Sequence, residues 1–222
     1  LLKTSFIRMA IPPPGASPSP TATSVRVSAL PSPTTSRRSF LRSGAGIATA
    51  GAAVAAGGGY YLLHRPARDR QLVLGHISDA MAEVERLSAG VVQPLDAATA
   101  WSWAQTLGHC AQSIEFSLQG FPAHKSALFQ NTLGSAALAV FAWRGRMSHN
   151  LAEPIPGALA LDANASAEGA LARLRQAVQD FGAHTGPLQP HFAYGALSRA
   201  QYEQAHAMHL ANHLSAFNLA AA

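Results

Sequence analysis

The residues best suited to chemistry are histidines, of which the 222-residue chain has ten. His206, His209 and His213 lie close together near the carboxyl end. At about 100° per residue on a helix, His209 and His213 fall about 40° apart and His206 about 60° from His209, so all three share one face. His209 and His213 form an H-x-x-x-H pair, and two imidazoles one turn apart can hold one ion. Alone, the pair is more simply a solvated or hydrogen-bonded histidine face. A third ligand from another helix would favour a metal. His109 is the best candidate, because it stands mid-way along a segment poor in polar residues, which a helical core can set opposite the last helix. His206 is the rival ligand and otherwise a pocket residue.

Positioning these residues requires helices, and the hydrophobic spacing supplies them. Leu72, Leu74, Ile77, Met81, Val84 and Leu87 predict a helix over residues 68–88, ended by Gly90. Asp96 is the expected N-cap of a second helix over 97–119, which Gly120-Phe121-Pro122 stops. A third is expected over 125–144, carrying Leu128, Leu133, Leu138 and Phe141. A loop over 147–161 contains Pro154-Ile155-Pro156-Gly157. Ser166 caps a fourth helix with Leu171, Leu174, Val178 and Phe181 on its core face, and Ser198 caps a last helix reaching about Phe217. No Glu stands at a capping-box position, so ordinary caps are expected. No strand is expected. The predicted class is all-α: a four-helix bundle with an additional helical segment and short connections.

One His on the second helix, followed by H-x-x-x-H on the last, resembles the DinB/YfiT-like superfamily of metalloenzymes, and within it a branch of unknown function. The resembling segments are residues 109–115, Gly120-Phe121-Pro122, Gly145-Arg146-Met147-Ser148, Pro154-Ile155-Pro156-Gly157, His191-Phe192-Ala193-Tyr194-Gly195, and 206–217. The resemblance implies a divalent metal, commonly Zn or Ni, on His109, His209 and His213. Many members follow the last His with Arg-Gly-Gln, whereas this chain has Leu214-Ser215-Ala216.

Other residues have weaker standing. His191 and Tyr194 lead into the ligand helix and either line a pocket mouth or pack a turn, and His149 is read the same way. Glu115, about 120° around the helix from His109, is a surface residue or an outer partner of the site. Cys110 points about 100° away from His109 and is read as a small buried apolar residue. Trp101, Trp103 and Trp143 are read as core or amphipathic surface. Gly57-Gly58-Gly59 is no phosphate loop, having neither a preceding strand nor a following Lys.

The charge distribution narrows the function. Of 16 Lys and Arg, seven precede Arg68, while all 11 Asp and Glu follow it, so the part from Arg68 onward carries a net charge of −2. The basic balance belongs to the leader, no basic stripe tracks a phosphate backbone, and nucleic-acid binding is excluded. With Cys110 the single cysteine, no internal disulfide forms.

Residues 1–35, rich in Pro, Ser and Thr, are expected to be disordered or translated upstream of a true start, Met9 being available. Ser36-Arg37-Arg38-Ser39-Phe40-Leu41-Arg42 is similar to the twin-arginine export motif, and residues 44–63 form an uncharged stretch dominated by Gly and Ala. The alternative is a chance Arg-Arg pair before a transmembrane helix, for which so weakly apolar a stretch is a poor anchor. Residues 36–66 are therefore expected to be a twin-arginine signal, read by the export machinery, and residues 67–222 a periplasmic or exported domain. Small residues around Ala53-Val54-Ala55 offer cleavage sites. Tyr60-Tyr61-Leu62-Leu63 keeps open an uncleaved inner-membrane anchor through 44–63.

Two functions follow. Three neutral His ligands leave a coordination position open, as catalytic zinc sites do. Some DinB-like relatives activate the thiol of a low-molecular-weight cofactor, and the same position can activate water, so a thiol-transferase or a hydrolase acting on an unspecified small molecule is expected. The alternative is a non-catalytic periplasmic metal-binding or structural bundle.

Overall fold

A computed structural model describes residues 69–96 and 101–221. The leader, the twin-arginine motif and the candidate anchor lie outside the described residues. Among those described, no helix is long and apolar enough to cross a membrane.

The chain enters in extended form. Arg70 N donates to Ser215 O at 3.0 Å and Leu72 N to Ser215 Oγ at 2.9 Å, while Gln71 takes a positive φ of 56°. The first helix, α1 (Ile77–Ser88), therefore begins nine residues later than the spacing predicts. Leu72 and Leu74 do pack on the core, but from alternate positions of an extended segment, a two-residue period that helical spacing also accommodates. Within α1, Ile77, Ala80, Val84 and Leu87 form the buried stripe.

After α1 a short strand, β1 (Val92–Pro94), pairs antiparallel with β2 (Phe217–Leu219), in the register Val92 to Leu219 and Pro94 to Phe217. The absence of strands and the last helix reaching Phe217 are both corrected here. Three residues per strand are too few to show alternation, and the pairing partner lies at the other end of the domain.

The second helix, α2 (Trp103–Gln119), is capped by Ser102, not Asp96. Ser102 Oγ accepts from Gln105 N and Gln105 Oε1 accepts from Ser102 N, a complete capping box; Ser198 and Gln201 repeat it. The expectation of ordinary caps overlooked that Gln serves as well as Glu. Every residue from Thr106 to Ile114 is buried, His109 included, so α2 is the central helix.

The third helical region is one rod made of α3 (Ala127–Phe129), a π-helical turn (Gln130–Gly134) and α4 (Ser135–Arg144). Thr132 Oγ1 donates back to Leu128 O at 2.6 Å and Ser135 Oγ to Thr132 O at 3.0 Å, hydroxyl bonds of the kind that distort a helix. Gly134 sits where an added Cβ would lie 2.0 Å from Ala193 O, so only Gly lets the 191–195 turn dock there. Gly145, left-handed at φ 63°, ends the rod.

The last two helices are α5 (Ala167–Ala183) and α6 (Arg199–Leu214). Arg199 ties them by donating to Phe181 O at 2.7 Å and His184 O at 2.8 Å, satisfying carbonyls at the end of α5. Helices α1, α2, α5 and α6 share one core, in which Val84, Leu107, Ile114, Leu174, Phe181, Tyr202 and Leu214 are buried. Each such large side chain contributes about 1.5–3 kcal/mol of burial. Leu171 and Val178 of the expected α5 face are half-buried, with Ala170 and Ala177 completing it. The rod attaches to α6 through a separate cluster of Phe141, Met147 and Met208.

Candidate metal centre

Helix α2 presents His109 inward from its mid-point, and α6 presents His209 and His213 one turn apart. His109 Nε2 lies 3.2 Å from His209 Nε2, and His213 Nε2 lies 3.1 Å from His209 Nε2. One ligand atom from each of the three falls within 4.8 Å of the others. Tetrahedral zinc at about 2.0–2.1 Å from each nitrogen sets its ligands about 3.3 Å apart, which the 3.2 and 3.1 Å separations match, so this donor set could hold a divalent ion. His109 and His213 are buried and His209 is half-buried.

Burial also sets their charge. It pushes the His109 imidazolium down to about 3, with the neighbouring His149 adding to the effect. His209 and His213 are held well below the ordinary range by burial and then by surrounding imidazoles. All three are neutral at pH 7, the state a ligand requires.

Two further residues close on the centre. The indole of Trp101 stacks on His213 (centroids 5.9 Å, planes 14° apart) and lies 4.6 Å from the His109 ring. His149 packs its ring 5.1 Å from His209 and 5.0 Å from His213. Its Nδ1 lies 3.0 Å from Asn150 O and donates to it in the neutral form, and its buried Nε2 meets no partner among the described residues. His109 Nδ1 is likewise buried without a partner among them. The loop bearing His149 is anchored by a buried ion pair between Arg146 and Asp69.

The remaining predicted positions separate. His206 shares the face of α6, yet its Nε2 bonds Ser117 Oγ at 3.2 Å and its ring lies between Tyr202 and Phe181, apart from the three-histidine group. Ser117 Oγ is itself committed to Ile114 O at 2.6 Å, so this pair is no Ser–His nucleophile. His191 Nδ1 accepts from Ala193 N and Tyr194 N, and its ring stacks on Tyr194 at 4.2 Å. His206, His191 and Tyr194 all line a chamber of about 420 Å3 that opens onto His109 and His209. Glu115 lies outside that lining and pairs with Arg173 of α5 at 2.6 Å. Cys110 is fully buried and its thiol is pushed up to about 12, which makes it core and no nucleophile.

Sequence reasoning missed Trp101 as part of the centre, because it precedes α2 and no helical spacing relates it to His109. It undervalued His149, whose only signal is its place directly after Gly145-Arg146-Met147-Ser148. It also missed that Phe129, Leu133 and Phe141 of the rod wall the chamber.

Fold and centre together define a mostly helical protein with a buried three-histidine cluster beside an apolar chamber. The chain belongs to the DUF1569 family, described as a protein of unknown function, whose model matches residues 67–219. No curated protein and no solved structure matches the chain.

Proposed function

We propose that this protein is an exported, DinB-like four-helix-bundle metalloprotein that holds Zn or Ni on His109, His209 and His213 and acts as a metal-dependent thiol-transferase or hydrolase. The observation that carries the reading is the convergence of three neutral imidazole nitrogens from two helices, at separations of 3.1 and 3.2 Å along the chain of contacts. When bound, such an ion lowers the pKa of a coordinated water or thiol toward neutrality.

The chain's own residues supply the rest. Burial keeps the imidazoles unprotonated. Trp101 and His149 pack against the ligand rings and hold their orientation. The chamber walls exclude water and seat a small molecule next to His109 and His209. This chamber favours catalysis over storage or a structural site, since neither needs about 420 Å3 of space beside the ligands. Export through the twin-arginine machinery fits the motif at Arg37 and Arg38, since that route carries proteins already folded around their cofactors.

Elemental analysis of the untagged, purified protein tests the reading. One divalent ion per chain is expected, and a metal-free protein that also fails to take up Zn or Ni at micromolar concentration would overturn it.

A further inference from the structure

The chamber has a definite chemical character. Its walls come from Phe129, Leu133, Phe141, Met147, Ile155 and Phe192, together with the histidines. Among the described residues no Lys or Arg lines it, and Glu153 is the one charged side chain that does. Arg146, in the same loop, is engaged with Asp69. His191 and His206 on its wall are kept neutral by burial, so they offer no positive charge to a ligand. A metal on the three histidines can accept one anionic atom. A second negative charge on the same molecule would be stripped of water against an apolar wall with no cation to meet it.

One fixed polar feature remains. Because His191 Nδ1 accepts two backbone N–H groups, the neutral ring carries its proton on Nε2 and lines the chamber as a potential donor. Stacking on Tyr194 and packing on Phe121 hold the ring in place.

Resting on the metal reading above, we infer that the substrate is a largely apolar small molecule, neutral or cationic apart from the atom that reaches the histidine centre, with an oxygen that accepts from His191. Molecules bearing two or more carboxylates or phosphates are excluded. The chamber thus suits compact aromatic or aliphatic thiols, esters and amides and not polyanionic thiol cofactors.

The test uses the full chain, zinc-free and zinc-loaded, in titration calorimetry. Phenylacetamide against phenylmalonate probes the zinc-free chamber, and benzyl mercaptan against mercaptosuccinate probes the zinc-loaded one. The neutral partner of each pair is expected to bind about tenfold tighter or more, and phenylacetamide about tenfold tighter than ethylbenzene. Equal or tighter binding of the dianions overturns the inference, and equal binding of ethylbenzene removes the role of His191. Leu133→Lys, at a position 53% exposed on the chamber wall, adds a cation and is expected to narrow the preference about tenfold without affecting folding. An unchanged preference there counts against the chamber as the binding site. A protein that retains no zinc but keeps the phenylacetamide preference overturns the metal reading and supports the chamber's class of ligand.

Discussion

His109 on α2 and His209 on α6 stand 100 residues apart in sequence and meet nitrogen to nitrogen at 3.2 Å. Neither helix alone presents three ligands, so metal retention reports on the docking of α2 against α6. His109→Ala is expected to weaken zinc binding by orders of magnitude. His206→Ala and His149→Ala, outside the three-histidine group, are expected to cost about 10–100-fold or less. Elemental analysis after dialysis at neutral pH distinguishes them. Stoichiometric zinc in His109→Ala would show that α2 supplies no ligand.

Acid is expected to unfold the zinc-free protein early. Burial lowers His109, His191 and His206 to about 3, against about 6.5 when unfolded. Below the unfolded value, the unfolded chain binds protons that the native state refuses, so stability is intact above about pH 6.5 and falls as pH drops toward 3. These three groups together give a slope on the order of 4 kcal/mol per pH unit once the unfolded chain is fully protonated. Urea midpoints measured from pH 7.5 to 5 check this, and a flat profile would contradict it. Zinc should raise the whole profile without changing its slope between pH 7.5 and 5, because it binds native imidazoles that are already neutral there while the unfolded chain sets the proton uptake.

Gly134 is where the π-turn and the 191–195 turn touch. Gly134→Ala drives a methyl group toward Ala193 O, with 2.0 Å between them in the undisturbed geometry. A loss of about 1–3 kcal/mol is expected, as for overpacking elsewhere. Chemical denaturation measures it, and a neutral or stabilising effect would show that the two turns separate freely.

The ion pair of Arg146 and Asp69 has both side chains only 7% exposed. Removing one partner leaves a buried charge alone, so Arg146→Ala is expected to cost about 3 kcal/mol or more. Because Arg146 anchors the loop bearing His149, proteolysis within residues 147–161 should accelerate in the same variant. An unchanged urea midpoint would be the contrary result.

The proposed export rests on the motif at Arg37 and Arg38. Replacing both with Lys is expected to retain the protein in the cytoplasm, as fractionation of expressing cells will reveal. Normal arrival in the periplasm would refute the twin-arginine assignment.

How much of this could be read from the sequence depended on the range over which each signal acts. Helices α5 and α6 were legible to within a residue at their starts, because Ser166 and Ser198 cap them and apolar residues recur at helical steps. The three-histidine group was legible for a related reason: His209 and His213 are local neighbours, and His109 stands out in an apolar segment. Signals that depend on distant partners were not legible. Residues 69–76 look helical but are drawn out by Ser215, and β1 exists only because β2 returns beside it. The chamber was invisible for the same reason, since its walls come from the rod, the 147–156 loop and the 191–194 turn together.

Of the three tryptophans in the chain, only Trp101 lies against the histidine centre; Trp103 meets Phe217 edge-on and Trp143 is 82% exposed. The stack of Trp101 on His213 therefore gives the protein an optical gauge of its own. An open-shell ion such as Ni2+ on that imidazole drains the excited state of an indole a few ångströms away, whereas closed-shell Zn2+ leaves it emitting. The fluorescence of one side chain thus distinguishes an open-shell ion on the histidines from a closed-shell one, with no label attached.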